Sequence, residues 1–162
     1  MKVVFRKVEE NEIKAVHDII AARTDWLNQQ GIHQWPRPLT EDILRERQQA
    51  GRLFGYWRNH ELVVVVCLLE KAVLDWGDLL QGKFLCMATL AGDLRYQGKG
   101  NGQACAIAAC DYARERGYEK MYLDCVDYQG ILPGFYTRLG FQSLGQKILP
   151  DGRTLILMVR PL

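Results

Sequence analysis

Short apolar segments separated by polar or glycine-containing turns recur along the chain, a pattern typical of β-strands. The longest apolar run, residues 62–69, has the length and composition of a strand that is covered on both faces. Polar residues 58–61 and the sequence Pro150-Asp151-Gly152 predict the turns of hairpins. The pattern predicts strands in these segments: 3–6, 53–57, 62–69, 84–90, 120–126, 144–149 and 154–159.

The segments between the strands combine helical spacing of apolar residues with helix-capping residues. The first predicted helix has Asn11 as its N-cap and ends near Gly31. One face of it carries Ile13, Val16, Ile20 and Leu27. Thr40 is the predicted N-cap of a second helix that ends at Gly51, and an alanine-rich segment predicts a third helix that ends at Gly117. A short fourth helix is predicted after residue 130, with Pro133 near its first turn. Because the strands are long and apolar, the pattern predicts an α/β protein (α+β in some schemes) with a mixed sheet and helices on both faces.

The composition is that of a soluble globular chain, with 162 residues of which 48% are hydrophobic and 25% are charged. This length predicts one domain over residues 1–162. The formal net charge of +2 is too small, and the positive residues are too scattered, to indicate a nucleic-acid partner. No apolar segment is long enough to span a membrane, and residues 1–6 are too short and too soon charged to form a secretory signal. We therefore expect a cytoplasmic protein.

The cysteine and histidine positions indicate neither a metal site nor a cysteine nucleophile. The chain has five cysteines, an odd number, and all of them lie inside apolar segments, which is typical of reduced core thiols. There is no Cys-x-x-Cys pair, and the three histidines lack the spacing of metal ligands. We predict no metal cofactor.

The most informative segment lies between the predicted strand 84–90 and the alanine-rich helix. It carries a glycine at every second position in the run Gln97, Gly98, Lys99, Gly100, Asn101 and Gly102. Such a run leaves main-chain N–H groups unobstructed at a helix N-terminus, where the helix dipole favours an anion. The segment therefore predicts a phosphate or pyrophosphate that is held by the main chain.

The spacing of these glycines excludes two familiar phosphate-binding motifs. A P-loop needs Gly-x-x-x-x-Gly-Lys-Ser/Thr, which the chain lacks. A dinucleotide fingerprint needs Gly-x-Gly-x-x-Gly, and its third glycine would fall at residue 103, which is Gln. The pattern that remains is Gln-x-x-Gly-x-Gly, which begins at Gln97.

A second motif, at residues 135–141, reads Phe-Tyr-Thr-Arg-Leu-Gly-Phe. Gln-x-x-Gly-x-Gly is the form with which the GCN5-related N-acetyltransferases (the GNAT superfamily) bind the pyrophosphate of acetyl-CoA, and residues 135–141 are similar to that superfamily's "fYeklGF" element. The predicted strand 120–126 lies between the two motifs, as it does in the superfamily. The chain therefore resembles a bacterial GNAT member of unassigned specificity, most clearly over residues 84–148.

The resemblance implies a single GNAT-like domain, 1–162, whose central sheet is mixed and mostly antiparallel. It also implies acetyl-CoA as cosubstrate, with the pyrophosphate bound by the N–H groups of residues 98–102. The pantetheine arm would pair with Leu90 and Ala91 as an added strand does. Gln129 stands where the family often has an asparagine that contacts the cofactor. Tyr136 matches the general acid that protonates the coenzyme A thiolate.

One stretch departs from the family pattern. Gly92-Asp93-Leu94 stands where a valine, a variable residue and often a proline are common. This departure leaves open how the strand 84–90 separates from its neighbour.

The resemblance implies acetyl transfer, by direct attack, to a primary amine of a small molecule or a peptide. A polyamine, an antibiotic, an amino acid and a protein amino terminus all remain open as acceptors. The alternative function is a non-catalytic acyl-CoA-binding sensor or regulatory domain. The chain is expected to be a monomer or a homodimer, and edge strands of the final hairpin could mediate the dimer.

The general base and the acceptor pocket are also open at this point. The candidate bases are a water chain or one of five carboxylates, Asp124, Asp93, Glu70, Asp75 and Asp78. The amino-terminal third is rich in aromatic residues, among them Trp26, Trp35, Tyr56 and Trp57. These residues either form a lid over the acceptor amine or pin the first two helices to the sheet. His33 is expected to form a hydrogen bond within its loop rather than to act as a base.

Overall fold

The computed structural model describes residues 1–162, and its seven strands form one sheet. The strands are β1 (Val3–Lys7), β2 (Leu53–Arg58), β3 (Glu61–Leu69), β4 (Phe84–Gly92), β5 (Lys120–Val126), β6 (Gln142–Ile148) and β7 (Thr154–Pro161). The α-helices are α1 (Ile13–Gln29), α2 (Glu41–Gln49), α3 (Asn101–Glu115) and α4 (Ile131–Arg138). None of the helices combines the length and the apolar content that crossing a lipid bilayer requires.

The strand order is β1-β2-β3-β4-β5-β7-β6, and only β4 and β5 pair in parallel. Helices cover both faces of this sheet. α1 and α2 bury residues such as Val16 and Leu44 against one face, whereas α3 buries Cys105 against the other. Successive β3 residues alternate between the two cores, with Val64 on the α3 side and Val65 on the α1 side. The predicted class is therefore confirmed, namely an α/β protein with a mixed, mostly antiparallel sheet between helices.

The first helix begins differently from the prediction. Asn11 is not its N-cap, because residues 10–12 form a 3-10 turn and α1 starts at Ile13. The Glu12 carboxylate accepts a hydrogen bond from the Glu9 N–H at 2.8 Å and forms an ion pair with Arg6 at 3.0 Å. A charged partner from β1 thus holds the Glu12 side chain over the start of the helix, which local propensity could not reveal.

Two other predicted helix features are confirmed. The hydroxyl of Thr40 accepts a hydrogen bond from the Ile43 N–H at 3.2 Å and caps α2. Pro133 lies in the first turn of α4, where its missing N–H removes no helical hydrogen bond.

The final hairpin is longer than predicted and folds back into the sheet. β7 lies between β5 and β6, so β6 is left at the sheet edge. An edge strand offers unpaired main-chain groups, and a homodimer formed through β6 stays a prediction.

The parallel pair β4 and β5 separates after a short contact, and this separation positions the site. Their pairing covers only Phe84 with Lys120, Leu85 with Met121 and Cys86 with Tyr122. Beyond this point β4 continues for six residues without pairing to β5, and Thr89 adopts a left-handed φ of +55° at a bulge against β3. The bulge re-aims β4 away from β5 and opens a gap between the two strands.

Candidate active site

A cavity of about 680 Å³ opens where β4 and β5 diverge. Its walls are mostly apolar and come from α1, the loop 32–39, β4, the glycine-rich loop, β5, α4 and the final hairpin. A large, mostly apolar cavity with a few polar groups is the usual form of a ligand site. The cavity therefore marks the candidate active site.

The glycine-rich loop presents free main-chain donors to this cavity. The N–H groups of residues 98–103 donate no hydrogen bond to any atom of the chain, because they precede or open α3. Gly98 and Gly100 adopt left-handed φ angles of +80° and +75°, which are unfavourable for residues that have a Cβ atom. Gln97, Gly98, Gly100 and Gly102 line the cavity, whereas Lys99 is exposed to solvent outside it. The loop thus has the geometry of an anion site at a helix N-terminus.

The two sequence motifs lie against each other in space. A Cβ atom at Gly102 would lie 3.8 Å from Cζ of Phe135, which is the first residue of the second motif. Because Phe135 and Tyr136 both line the cavity, α4 forms the wall next to the N-terminus of α3.

Asn101 has a role that the sequence did not reveal. Its side chain is buried, accepts a hydrogen bond from the Arg58 guanidinium at 2.7 Å and donates one to the Tyr96 carbonyl at 3.3 Å. The expected contribution of Asn101 was its main-chain N–H alone. The side chain instead ties the start of α3 to the end of β2 and to the turn before the loop.

Replacing Asn101 with alanine is expected to lower the free energy of unfolding by about 1–3 kcal/mol, because the half-buried Arg58 guanidinium loses its acceptor. Denaturant unfolding of N101A, R58M and the double variant would measure this coupling. Strictly additive losses in the double variant would show that the two side chains do not support each other.

The three remaining predicted cofactor contacts fall in different places. Leu90 lines the cavity. Ala91 pairs with Val65, and its side chain is fully buried in the core beneath α1 and α2, so only its main chain is available. Gln129 lies in an exposed left-handed turn, with φ of +54°, and does not line the cavity. A contact between Gln129 and a cofactor stays a prediction.

Tyr136 reaches the cavity from α4. Its ring packs edge-on against Phe135 and Phe141, at centroid distances of 5.0 and 5.8 Å. The hydroxyl forms no hydrogen bond within the chain, yet it is not sealed off, since the residue lines the cavity wall. Burial raises the pKa of Tyr136, and the nearby groups Cys125, Cys105 and Asp124 raise it further. The phenol therefore stays protonated over the working range of pH.

Asp124 is the candidate base that the structure singles out. It lies on the part of β5 that has left β4, and it lines the cavity. Its Oδ2 accepts a hydrogen bond from Nε1 of Trp76 at 3.1 Å, whereas Oδ1 accepts none. Burial raises the pKa of Asp124 above its ordinary value, although the Trp76 bond and the charges of Lys147 and Arg153 act in the opposite direction.

Trp76 lies in the connector between β3 and β4. It is buried in a core cluster with Cys86 and Tyr122, and its hydrogen bond positions Asp124. The presence of a tryptophan in this connector was the only available sign of this role.

The other candidate bases are engaged elsewhere. Asp93 forms an ion pair with Arg95 at 2.8 Å, and the hydrogen bonds from Arg95 lower its pKa. Glu70 pairs with Arg52. Asp75 accepts a hydrogen bond from the main chain of Gly77, and Asp78 is exposed. None of these, except Asp93, lines the cavity.

The aromatic residues of the amino-terminal third divide into two groups. Trp26 and Trp35 line the cavity, whereas Tyr56 and Trp57 are buried in the cores on opposite faces of the sheet. The first pair fits the predicted acceptor pocket. Trp57 fits the predicted role of pinning the first two helices to the sheet, whereas Tyr56 packs on the face that α3 covers. His33, in the loop after α1, forms a hydrogen bond at 2.8 Å with Asn28 in the last turn of that helix, in line with the expected hydrogen-bonding role.

Two residues that the sequence did not single out hold the loop of Trp35 in place. Oε1 of Gln34 accepts a hydrogen bond from the Val126 N–H on β5 at 2.5 Å. Arg153, on the final hairpin, donates to the carbonyl groups of His33 and Gln34 at 2.9 and 3.1 Å. These contacts join residues far apart in the sequence, so spacing alone could not predict them.

Comparisons with known proteins agree with this geometry. The model of the acetyltransferase (GNAT) family matches residues 20–141. An uncharacterized N-acetyltransferase of Bacillus subtilis (strain 168), YesJ, is 26% identical over 141 residues, which cover 83% of this chain and 78% of YesJ.

Solved structures share the fold over the full length. A GNAT-family acetyltransferase from Listeria monocytogenes superposes with a TM-score of 0.83 at 19% identity, covering 99% of this chain and 95% of its own. The structure of YncA from Salmonella typhimurium, which contains acetyl-CoA, has a TM-score of 0.71 at 17% identity and covers 100% and 95%. The family match spans most of the chain, and the sheet, the glycine-rich loop and the cavity agree with it. The chain therefore belongs to the GNAT family of acetyl-CoA-dependent N-acetyltransferases.

Proposed function

We propose that this protein transfers an acetyl group from acetyl-CoA to a primary amine of a small molecule or a peptide, by direct attack of the amine. One observation carries the proposal. Gly98, Gly100 and Gly102, whose N–H groups are free, line a single cavity between the separated strands, together with Tyr136, whose hydroxyl is unpartnered, and Asp124. An anion anchor, an acid and a base are the groups that acetyl transfer to an amine needs.

The residues present fit acetyl-CoA. The N–H groups at the start of α3, with Gly98 and Gly100, would hold its pyrophosphate. The part of β4 that no longer pairs with β5, around Leu90, offers main-chain groups to the pantetheine arm. When bound, acetyl-CoA supplies the activated acetyl thioester.

Two side chains move the protons. Asp124 accepts the proton of the incoming ammonium group, directly or through water, because its Oδ1 is unpartnered and its raised pKa makes it a better base than an exposed aspartate. Tyr136 donates its proton to the departing thiolate, because its hydroxyl is free and remains protonated. The second proton that the nitrogen loses after attack balances the one that the phenol gives up, and the proton on Asp124 passes to solvent. Main-chain N–H groups of β4 near the bulge at Thr89 would stabilise the negative charge that develops on the carbonyl oxygen.

A screen of amines tests this function. The purified protein would be mixed with acetyl-CoA and a panel of polyamines, aminoglycosides, amino acids and peptides, with release of free thiol as the readout. Calorimetry would measure acetyl-CoA binding in parallel. Tight binding without turnover on any amine would overturn the catalytic proposal and favour the alternative, an acyl-CoA sensor.

Replacing Gly100 with alanine is expected to weaken acetyl-CoA binding about tenfold. A Cβ there would meet only Oε1 of Gln103, at 4.0 Å, so the cost is conformational: the left-handed φ of +75° costs a residue with a side chain about 1–2 kcal/mol. The loop relaxes away from this conformation, and binding has to restore it. Calorimetry on the variant would give the Kd.

Gly152 provides the matched control for this change. It has a φ of +91°, has no neighbouring atom that a Cβ would meet and lies in the final hairpin outside the cavity. G152A should lose similar stability and keep the wild-type Kd. An unchanged Kd in G100A would argue against an anchor at the glycine-rich loop.

A further inference from the structure

We infer that the acceptor carries a carboxylate in addition to its amine, and that Arg47 and Arg23 bind this carboxylate. The inference rests on the proposed function and specifies the class of acceptor. It starts from an imbalance of charge in the cavity. Four arginines line the cavity, Arg23, Arg37, Arg47 and Arg153, against two carboxylates, Asp93 and Asp124.

Three of these arginines have no acidic partner. Arg153 forms an ion pair with Asp151, and Asp93 forms an ion pair with Arg95. Arg23, Arg37 and Arg47 take part in no ion pair of the structure. The cavity therefore has an excess of positive charge that is not neutralised by the chain itself.

Arg47 extends from α2 to the bulge of β4. Its Nη1 lies 3.3 Å from Sγ of Cys67 and 3.5 Å from the Thr89 hydroxyl. Both are neutral acceptors, and they occupy one of the nitrogen atoms of the guanidinium group. Since a guanidinium carries five N–H donors, most of those of Arg47 remain available at the cavity wall.

Arg23 approaches the same strand from α1. Its Nε donates to the Gly92 carbonyl at 3.0 Å, and its guanidinium lies 4.9 Å above the ring of Trp26. The side chain is half-buried, and its nearest acidic charge, Asp93, already pairs with Arg95. A half-buried guanidinium that lacks a carboxylate is costly, unless a ligand supplies one.

These arginines lie on the opposite face of the sheet from the proposed pyrophosphate anchor. Cys67, which Arg47 contacts, belongs to the core beneath α1 and α2, whereas α3 packs on the other core. The anion that they bind is therefore distinct from the one held at the start of α3. Because Trp26, Trp35, Leu39 and Leu69 surround this half of the cavity, the carboxylate would belong to a molecule with an apolar body.

Matched pairs of amines test the inference, each pair differing by a carboxylate. The pairs are leucine and 3-methylbutylamine, phenylalanine and 2-phenylethylamine, and 4-aminobutyrate and propylamine. We expect kcat/KM to be at least about tenfold higher for one or more of the carboxylates, the size of effect given by a charged hydrogen-bonded pair. In R47Q this preference should disappear, while the Kd of acetyl-CoA stays unchanged.

The control variant is R45Q, on the same helix. Arg45 pairs with Asp42 and does not line the cavity, so its loss should leave both the preference and the Kd unchanged. Binding of each carboxylate to the CoA-loaded protein, measured by calorimetry, provides a readout that does not depend on turnover.

The outcomes separate this inference from the proposed function. Turnover of both members of every pair at equal rates would leave acetyl transfer standing and overturn the carboxylate. Carboxylate binding that R47Q abolishes, without turnover of any amine, would support the arginine site and overturn the enzyme. Weaker acetyl-CoA binding in R47Q would assign the arginine to the cofactor and also overturn the inference, as would the absence of carboxylate binding and preference.

Discussion

Replacing Tyr136 with phenylalanine is expected to lower kcat about 10²- to 10⁴-fold, the usual contribution of a general acid. The ring contacts with Phe135 and Phe141 stay, because the variant loses only the hydroxyl. Since that hydroxyl forms no hydrogen bond within the chain, stability and the Kd of acetyl-CoA should be unchanged. Steady-state kinetics, thermal unfolding and calorimetry measure the three quantities.

The pH profile gives a second test of Tyr136. Because burial raises its pKa, activity in the wild-type enzyme should persist above pH 10, about where an ordinary tyrosine loses its proton. The control is Y128F, since Tyr128 is exposed and does not line the cavity. A Y136F variant with wild-type kcat would rule out the phenol as the acid.

Replacing Asp124 with asparagine is expected to lower kcat/KM about 10²-fold, because the amide cannot accept the amine proton. The change keeps the shape of the side chain, and the amide oxygen can still accept the hydrogen bond from Trp76. In the wild-type enzyme the acidic limb of the kcat/KM profile should lie above pH 4, about the ordinary aspartate value, since the pKa of Asp124 is raised. This limb should vanish from the residual activity of D124N.

The stability of D124N should not fall with its activity. A carboxyl group with a raised folded-state pKa favours folding in its protonated form, and this contribution is lost as the pH rises through the folded pKa. At neutral pH the asparagine variant avoids the cost of the buried charge, so its Tm should equal or exceed that of the wild type. The difference should disappear in acid, where Asp124 is protonated.

The control D78N changes an exposed carboxylate outside the cavity. Wild-type kcat/KM in D124N would assign the base to another group or to water.

Much of the fold could be predicted from local patterns. The run 62–69 became β3, Thr40 caps α2, and Pro133 sits in the first turn of α4, because each depends on neighbours within a few residues. The start of α1 could not be predicted, because the side chain of Glu12 is held there by an ion pair with Arg6, which lies on β1 and not in the helix.

The site shows the same division. Gly98 and Gly100 could be identified because a left-handed backbone conformation favours glycine, so the residue type itself indicates the conformation. Asp124 was one of five equal candidates, and only its bond with Trp76, 48 residues away, together with its burial distinguished it. Arg47 was not identified at all, because its role depends on a cavity that α2 and β4 form together.

By itself, the sequence determined the glycine-rich loop, the second motif with its tyrosine and the alternation of strands and helices. These depend on backbone conformation and on short-range periodicity, which adjacent residues encode. The tertiary structure alone decided where β4 leaves β5, which carboxylate faces the gap and which arginines remain without a partner. Burial and charge pairing are properties of side chains that meet across the fold, so no local segment contains them.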